Sequence, residues 1–214
     1  MADDTAARAL TLRTADDVTL EAEAHVPDGA WAAVLLTHPH PLHGGTMRSL
    51  VTSELFRLLP AAGVASLRFN FRGVEGSEGT HGGGRAEHAD VVAGLDGLTA
   101  LAPGVPLAIA GWSFGADVAL SVTDGRVAGW FCVAPPLRIL APDELLAASD
   151  PRPKCLAVPE HDQFRPPASV AEAAAGWRST TIEVIAGADH FCVGRTDRVG
   201  ELCLAFVRRL MTPS

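Results

Sequence analysis

The chain has 214 residues, 48% hydrophobic and 20% charged, proportions that exclude a disordered or collagen-like polymer. Lys and Arg number 17 against 25 Asp and Glu, a formal charge of −8, so no basic stripe exists to neutralise a phosphate backbone and nucleic acid is not an expected partner. No apolar run approaches the roughly 20 residues that span a bilayer, so no membrane partner is expected either.

The first residues, Met1-Ala2-Asp3-Asp4, are acidic where a secretory signal needs positive charge and then an apolar stretch, which predicts a cytoplasmic protein. Ala9–Val26 reads as a hairpin around Asp16-Asp17, because Leu10, Leu12, Val18 and Leu20 alternate with polar residues. Beyond it, short, largely apolar runs alternate with helix-length segments. The runs Ala32–Leu36, Val64–Phe69, Pro106–Ala110, Val127–Val133, Cys155–Val158 and Thr181–Ile185 are predicted strands, buried on both faces of a parallel sheet. Helices are predicted over Met47–Leu59, Arg85–Leu101, Ala116–Thr123, Pro142–Ala147, Pro166–Ala175 and Thr196–Met211, from 3.6-residue spacings such as Leu50, Leu55, Leu58 and Leu59. The pattern predicts an α/β fold: a mostly parallel sheet of about eight strands with an N-terminal antiparallel hairpin, helices on both faces, and a ligand site at the carboxyl ends of the strands. The Gly-rich piece Gly76–Gly84 reads as a loop, the one segment flexible enough to fold over that site. No linker is visible, so at roughly 150 residues per domain the chain is read as a single domain, 1–214, a monomer or homodimer. The cysteines Cys132, Cys155, Cys192 and Cys203 contain no C-x-x-C pair and are expected to be reduced thiols, holding no metal.

The chemistry concentrates after the third apolar run. Gly111-Trp112-Ser113-Phe114-Gly115 is a G-x-S-x-G between a buried strand and an Ala-rich helix, the setting of a nucleophile elbow, where two glycines leave room for a sharp turn. The bare pattern is short enough to arise by chance; the strand before it and the helix after it give it meaning. A serine hydroxyl needs a base beside it, and the base needs an orienting acid. Asp162 follows a predicted strand, and His190 lies in the loop after the next one, in the order Ser, Asp, His that the elbow fold uses. Asp189 is the rival acid, but as an immediate neighbour it projects away from the imidazole of His190. His161 is expected at the surface. An oxyanion hole needs two backbone N–H donors. Phe114 is expected to supply one. His40 is expected to supply the other, from the loop His38-Pro39-His40-Pro41-Leu42-His43, because the prolines lack N–H groups. Three His in that loop also spell a metal site, but no carboxylate neighbours them, and no metal is expected. Arg72 reads either as an anion clamp or, more plainly, as a tie for its own loop.

These residues resemble the alpha/beta-hydrolase superfamily, specifically its small, lidless bacterial branch related to dienelactone hydrolases and short-chain esterases. The matching pieces are His38-Pro-His-Pro-Leu-His-Gly-Gly-Thr-Met47, Leu67-Arg-Phe-Asn-Phe-Arg-Gly73, Gly76-Ser-Glu-Gly79, the elbow, Asp162 and Gly187-Ala-Asp-His-Phe191. The resemblance implies Ser113 as nucleophile, His190 as base, Asp162 as acid, and backbone donors from Phe114 and the His-Pro loop. Two positions depart from it: Pro159 stands where relatives commonly carry Gly, and Cys192 where many carry a second Phe. The expected activity is cleavage of a small carboxylic ester, without a cofactor, on a small-molecule acyl substrate. The alternatives are a thioesterase or peptidase with the same machinery, or a non-catalytic ligand-binding member of the fold. A cap domain is not expected, since the span Ala134–Lys154 is short and stiffened by prolines, and a lidless site is expected to offer little apolar wall to long acyl chains.

Overall fold

The computed structural model describes residues 7–211. Its eight strands form one sheet, β1 (Arg8–Arg13), β2 (Thr19–His25), β3 (Ala32–Thr37), β4 (Val64–Phe69), β5 (Leu107–Trp112), β6 (Val127–Val133), β7 (Lys154–Pro159) and β8 (Thr180–Ile185). Their order across the sheet is β1-β2-β4-β3-β5-β6-β7-β8. The hairpin β1/β2 is antiparallel and continues antiparallel onto β4, while every later pair is parallel. In β2 the predicted alternation holds, with Leu20, Ala22 and Ala24 buried. β3, β5 and β7 are buried at every position, as apolar strands covered on both faces must be. β8 is the exception: it pairs only with β7, and of its residues only Ile185 is buried.

Two cores flank the sheet. Helices α1 (Leu50–Ala61) and α5 (Thr196–Leu210) cover one face, where Val51, Leu55, Leu59, Leu202 and Phe206 meet Val34, Ala110 and Phe131. Helices α2 (Glu87–Leu101), α3 (Phe114–Leu120) and α4 (Pro167–Ala173) cover the other, through Val91, Leu95, Val118 and Val170 against Leu35, Ile109 and Trp130.

Three helix predictions need correction. α1 starts three residues later than Met47, because Ser49 Oγ accepts from the Thr46 N–H and Met47 N–H donates to Asn70 Oδ1, which makes that stretch a turn. Leu50 is therefore exposed rather than part of the apolar face. α3 starts at Phe114 and ends at Leu120, earlier at both ends than Ala116–Thr123. Pro142–Ala147 is no α-helix but two 3₁₀ turns, Pro142–Glu144 and Leu146–Ser149, the first closed by Glu144 Oε2 accepting from the Ala141 N–H. With only these turns between β6 and β7, no cap domain is inserted there.

Candidate active site

The chain order reverses at β3, with β4 on one side and β5 on the other, and the crevice at the carboxyl ends of such strands is where open α/β sheets bind ligands. Ser113 sits there, between β5 and α3, in a strained backbone conformation at φ 54 and ψ −117. Its N–H donates to Val133 O at 2.9 Å, fastening the turn to β6. The flanking glycines are required by close approach: a Cβ on Gly111 would lie 2.5 Å from Gly115 O, and one on Gly115 would lie 2.5 Å from His38 O. The elbow is thus wedged against the end of β3, which brings the His-Pro loop beside it.

The side chains singled out by spacing meet. His190 Nε2 lies 2.9 Å from Ser113 Oγ, and His190 Nδ1 lies 2.8 Å from Asp162 Oδ2. A carboxylate only accepts, so Nδ1 carries the proton and Nε2 is left to accept from the serine hydroxyl. The other oxygen of Asp162 accepts from the Phe164 and Arg165 N–H groups, which fixes the carboxylate despite Pro159 at the end of β7. Asp162 and His190 are both buried. Asp189 is exposed and accepts instead from the Phe191 N–H. His161 projects outward, its side chain 67% exposed.

A cavity of about 600 Å³ opens over Ser113 and is lined by His40 and Phe114, the two expected N–H donors, together with His190. The rest of its wall is largely apolar, from Leu50, Trp112, Pro136, Ile139, Phe164 and Phe191. This corrects the expectation of little apolar wall: Phe164 and Phe191 come from the loops of Asp162 and His190, and Trp112 from the end of β5. Phe164 meets the His190 ring edge-on at 4.5 Å between centroids. Trp112 Nε1–H donates to His190 O at 3.2 Å and so ties the base loop to the elbow strand. The only sequence signal for Trp112 was its place inside the elbow; for Leu50, Ile139 and Phe164 there was none.

The remaining candidates separate. His38 is fully buried, its Nδ1 donating to Pro39 O and its Nε2 accepting from the Phe71 N–H; burial pushes its pKa down to about 4. Its nitrogens are spent, so it does not converge with its neighbours. His40 and His43 stack at 4.5 Å, and His81 lies 5.1 Å from His40. Burial, and then these two imidazoles, hold His40 below the usual histidine range. His81 comes from the Gly-rich loop, which is tied down rather than free to swing: Gly82 N–H and Gly84 N–H donate to the fully buried Glu87 carboxylate. Arg72 ties its own loop, paired with Asp90 at 2.7 Å and Asp16 at 2.8 Å. The four cysteines are buried and free; burial raises the thiol of Cys192, beside Phe191, to about 12. Among the described residues no helix is long and apolar enough to cross a membrane.

No family model matches the chain. An uncharacterized protein of Rickettsia prowazekii is 36% identical over 122 residues, 56% of this chain, which spans half the length of that curated relative. Among solved structures, an alpha-beta serine hydrolase homologue from Coxiella burnetii is 30% identical, with a TM-score of 0.81 over 94% of this chain and 97% of the other. An a/b serine hydrolase without lid from Xanthomonas campestris is 24% identical, with a TM-score of 0.81 over 98% of this chain and 97% of the other. An esterase from Pyrococcus furiosus is 18% identical, with a TM-score of 0.78 over 94% and 93%. The last two share the fold alone, but the Coxiella relative matches in sequence along nearly its full length, and on that match the chain belongs to the alpha/beta-hydrolase superfamily.

Proposed function

We propose that the protein is a serine hydrolase that cleaves small carboxylic esters through an acyl-enzyme. The observation that carries this reading is the unbroken row of hydrogen bonds from Ser113 Oγ through His190 to Asp162. In it Ser113 Oγ attacks the acyl carbon while His190 Nε2 takes the hydroxyl proton. Asp162 holds the imidazole in the right tautomer and stabilises the imidazolium. The oxyanion of the tetrahedral intermediate is received by the N–H groups of Phe114 and His40, both on the cavity wall. His190 then gives its proton to the leaving alcohol as the C–O bond breaks, and water repeats the sequence on the acyl-enzyme. A cavity of about 600 Å³ with a mostly apolar wall suits a small acyl group and a small alcohol.

The test is covalent and kinetic. A fluorophosphonate probe should attach to Ser113 and to no other serine, as read by peptide mapping. On a p-nitrophenyl ester, Asp162→Asn should lose roughly 10⁴ in turnover by favouring the wrong tautomer, while Asp189→Asn stays near wild type. A crippled Asp189→Asn, or an adduct elsewhere, overturns the assignment. Matched thioester and amide substrates, with Ser113→Ala as blank, separate an esterase from a thioesterase or peptidase.

A further inference from the structure

The mostly apolar cavity over Ser113 has one charged residue in its lining, Arg138, and among the described residues no carboxylate, in a chain that stands at −8. Arg138 is also unlike most arginines here. Arg72 sits between Asp16 and Asp90, and Arg85 against Glu144. Arg138 has no ion-pair partner among the described residues; its guanidinium rests 5.9 Å from the centroid of the Phe164 ring, the ring that also borders His190.

The segment that presents Arg138 is held in place from below. The N–H groups of Leu137, Arg138 and Ile139 all donate, at 2.9 Å, to the carboxylate of Asp117. Asp117 is fully buried and lies one turn along α3 from Ser113. Leu137 adopts a left-handed φ of 49 to make that turn. Burying a carboxylate is costly even when hydrogen-bonded, and burial pushes this one up to about 6. The helix that begins after Ser113 therefore fixes the backbone of Arg138 and of the neighbouring Ile139 relative to Ser113.

We propose that Arg138 is a specificity-determining residue, and that the substrate of this site is an ester that also bears a carboxylate. The anion pairs with the planar guanidinium, and the apolar body of the molecule lies along Ile139 and Phe164. The inference rests on the reading of Ser113 as the nucleophile and adds the class of its substrate. The bond that breaks is still the ester C–O bond, and the carboxylate takes no part in the chemistry.

The experiment compares an ester bearing a free carboxylate with the same ester methylated at that carboxylate, rates being counted per scissile bond. Monomethyl adipate is set against dimethyl adipate, with the anion on the acyl half, and 4-acetoxybenzoate against its methyl ester, with the anion on the alcohol half. For wild type, kcat/KM for the anionic member of at least one pair should be about tenfold higher, as a charge-assisted hydrogen bond provides. Most of that advantage should disappear at about 1 M salt, where the screening length is about 3 Å. Arg138→Gln should abolish the preference chiefly through KM, and Arg138→Lys should retain part of it, having the charge without the fork. A thermal melt of each variant separates loss of recognition from loss of fold. Equal rates within both pairs, or a preference that survives in Arg138→Gln, overturns the proposal. Fluorophosphonate labelling of Ser113 with no turnover of either anionic ester also overturns it while leaving the nucleophile standing. Failure of that labelling removes the underlying reading and the proposal with it.

Discussion

His38 shows how a single side chain is assigned by its surroundings rather than by its type. Its Nε2 accepts from the Phe71 N–H, so a second proton would remove an acceptor inside a fully buried site. With its pKa pushed down to about 4 by burial, against about 6.5 in an unfolded chain, the folded state binds fewer protons between those values. His38 thus contributes stability that is present above pH 6.5 and is lost as pH falls toward 4. Asp117 works the other way, since burial raises it to about 6 and folding then gains on acidification. The clean measurement is therefore a difference. His38→Gln should be less stable than wild type to urea at pH 7.5, and the gap should close by about 2 kcal/mol or more at pH 4.5; a gap that does not change with pH contradicts this account of His38. At this scale the hydrogen-bonded row was legible, because Ser113, Asp162 and His190 each follow a strand in a fixed order. The walls were not. Leu50, Ile139 and Phe164 arrive from three separate segments, and no spacing rule links them. Nor was Asp117 singled out, although an acid within the apolar run Phe114–Leu120 is a visible oddity.

The elements were recognisable where burial dictates pattern and poorly bounded where side chains cap the backbone. β4 and β6 fall where the mostly apolar runs predict, even though β4 admits Ser66 and Arg68, the latter paired with Glu23. α1 and α3 are displaced because their ends are set by local hydrogen bonds, Ser49 to Thr46 in one case and the strained Ser113 in the other. The elbow tolerates little. Gly115→Ala would place a Cβ 2.5 Å from His38 O and 2.6 Å from Thr37 O, both backbone atoms that cannot swing aside. It should cost more than about 2 kcal/mol of stability, in the range of strongly disruptive substitutions, and activity should fall further than stability. Gly176→Ala meets nothing within 4 Å and serves as the control, expected within about 0.5 kcal/mol of wild type. Chemical denaturation of the two variants decides the point, and equal midpoints would show that the elbow can relax.

The whole molecule is a sheet with an open end. The span between β6 and β7 carries only two 3₁₀ turns, and Glu87 ties down the Gly-rich loop, so nothing described here is built to swing across the cavity. No jump in rate is expected when an ester passes its solubility limit. In a series of lengthening acyl chains, each methylene should gain up to about 0.8 kcal/mol in kcat/KM while the chain still finds Leu50, Ile139 and Phe164 to lie against, and nothing beyond. Interfacial activation would reveal a cover that these residues do not provide. The sheet order also assigns unequal robustness to the parts of the site. Ser113 is anchored between central strands, whereas the histidine loop hangs from β8, an edge strand with one neighbour and one buried residue. The edge is the first place such a sheet should fray. Partial unfolding should then separate hydroxyl from imidazole while Trp130 is still enclosed in the core. Under rising urea, turnover and probe labelling of Ser113 should vanish before the far-ultraviolet circular dichroism of the fold is lost, and the amides of β8 should exchange with deuterium before those of β5.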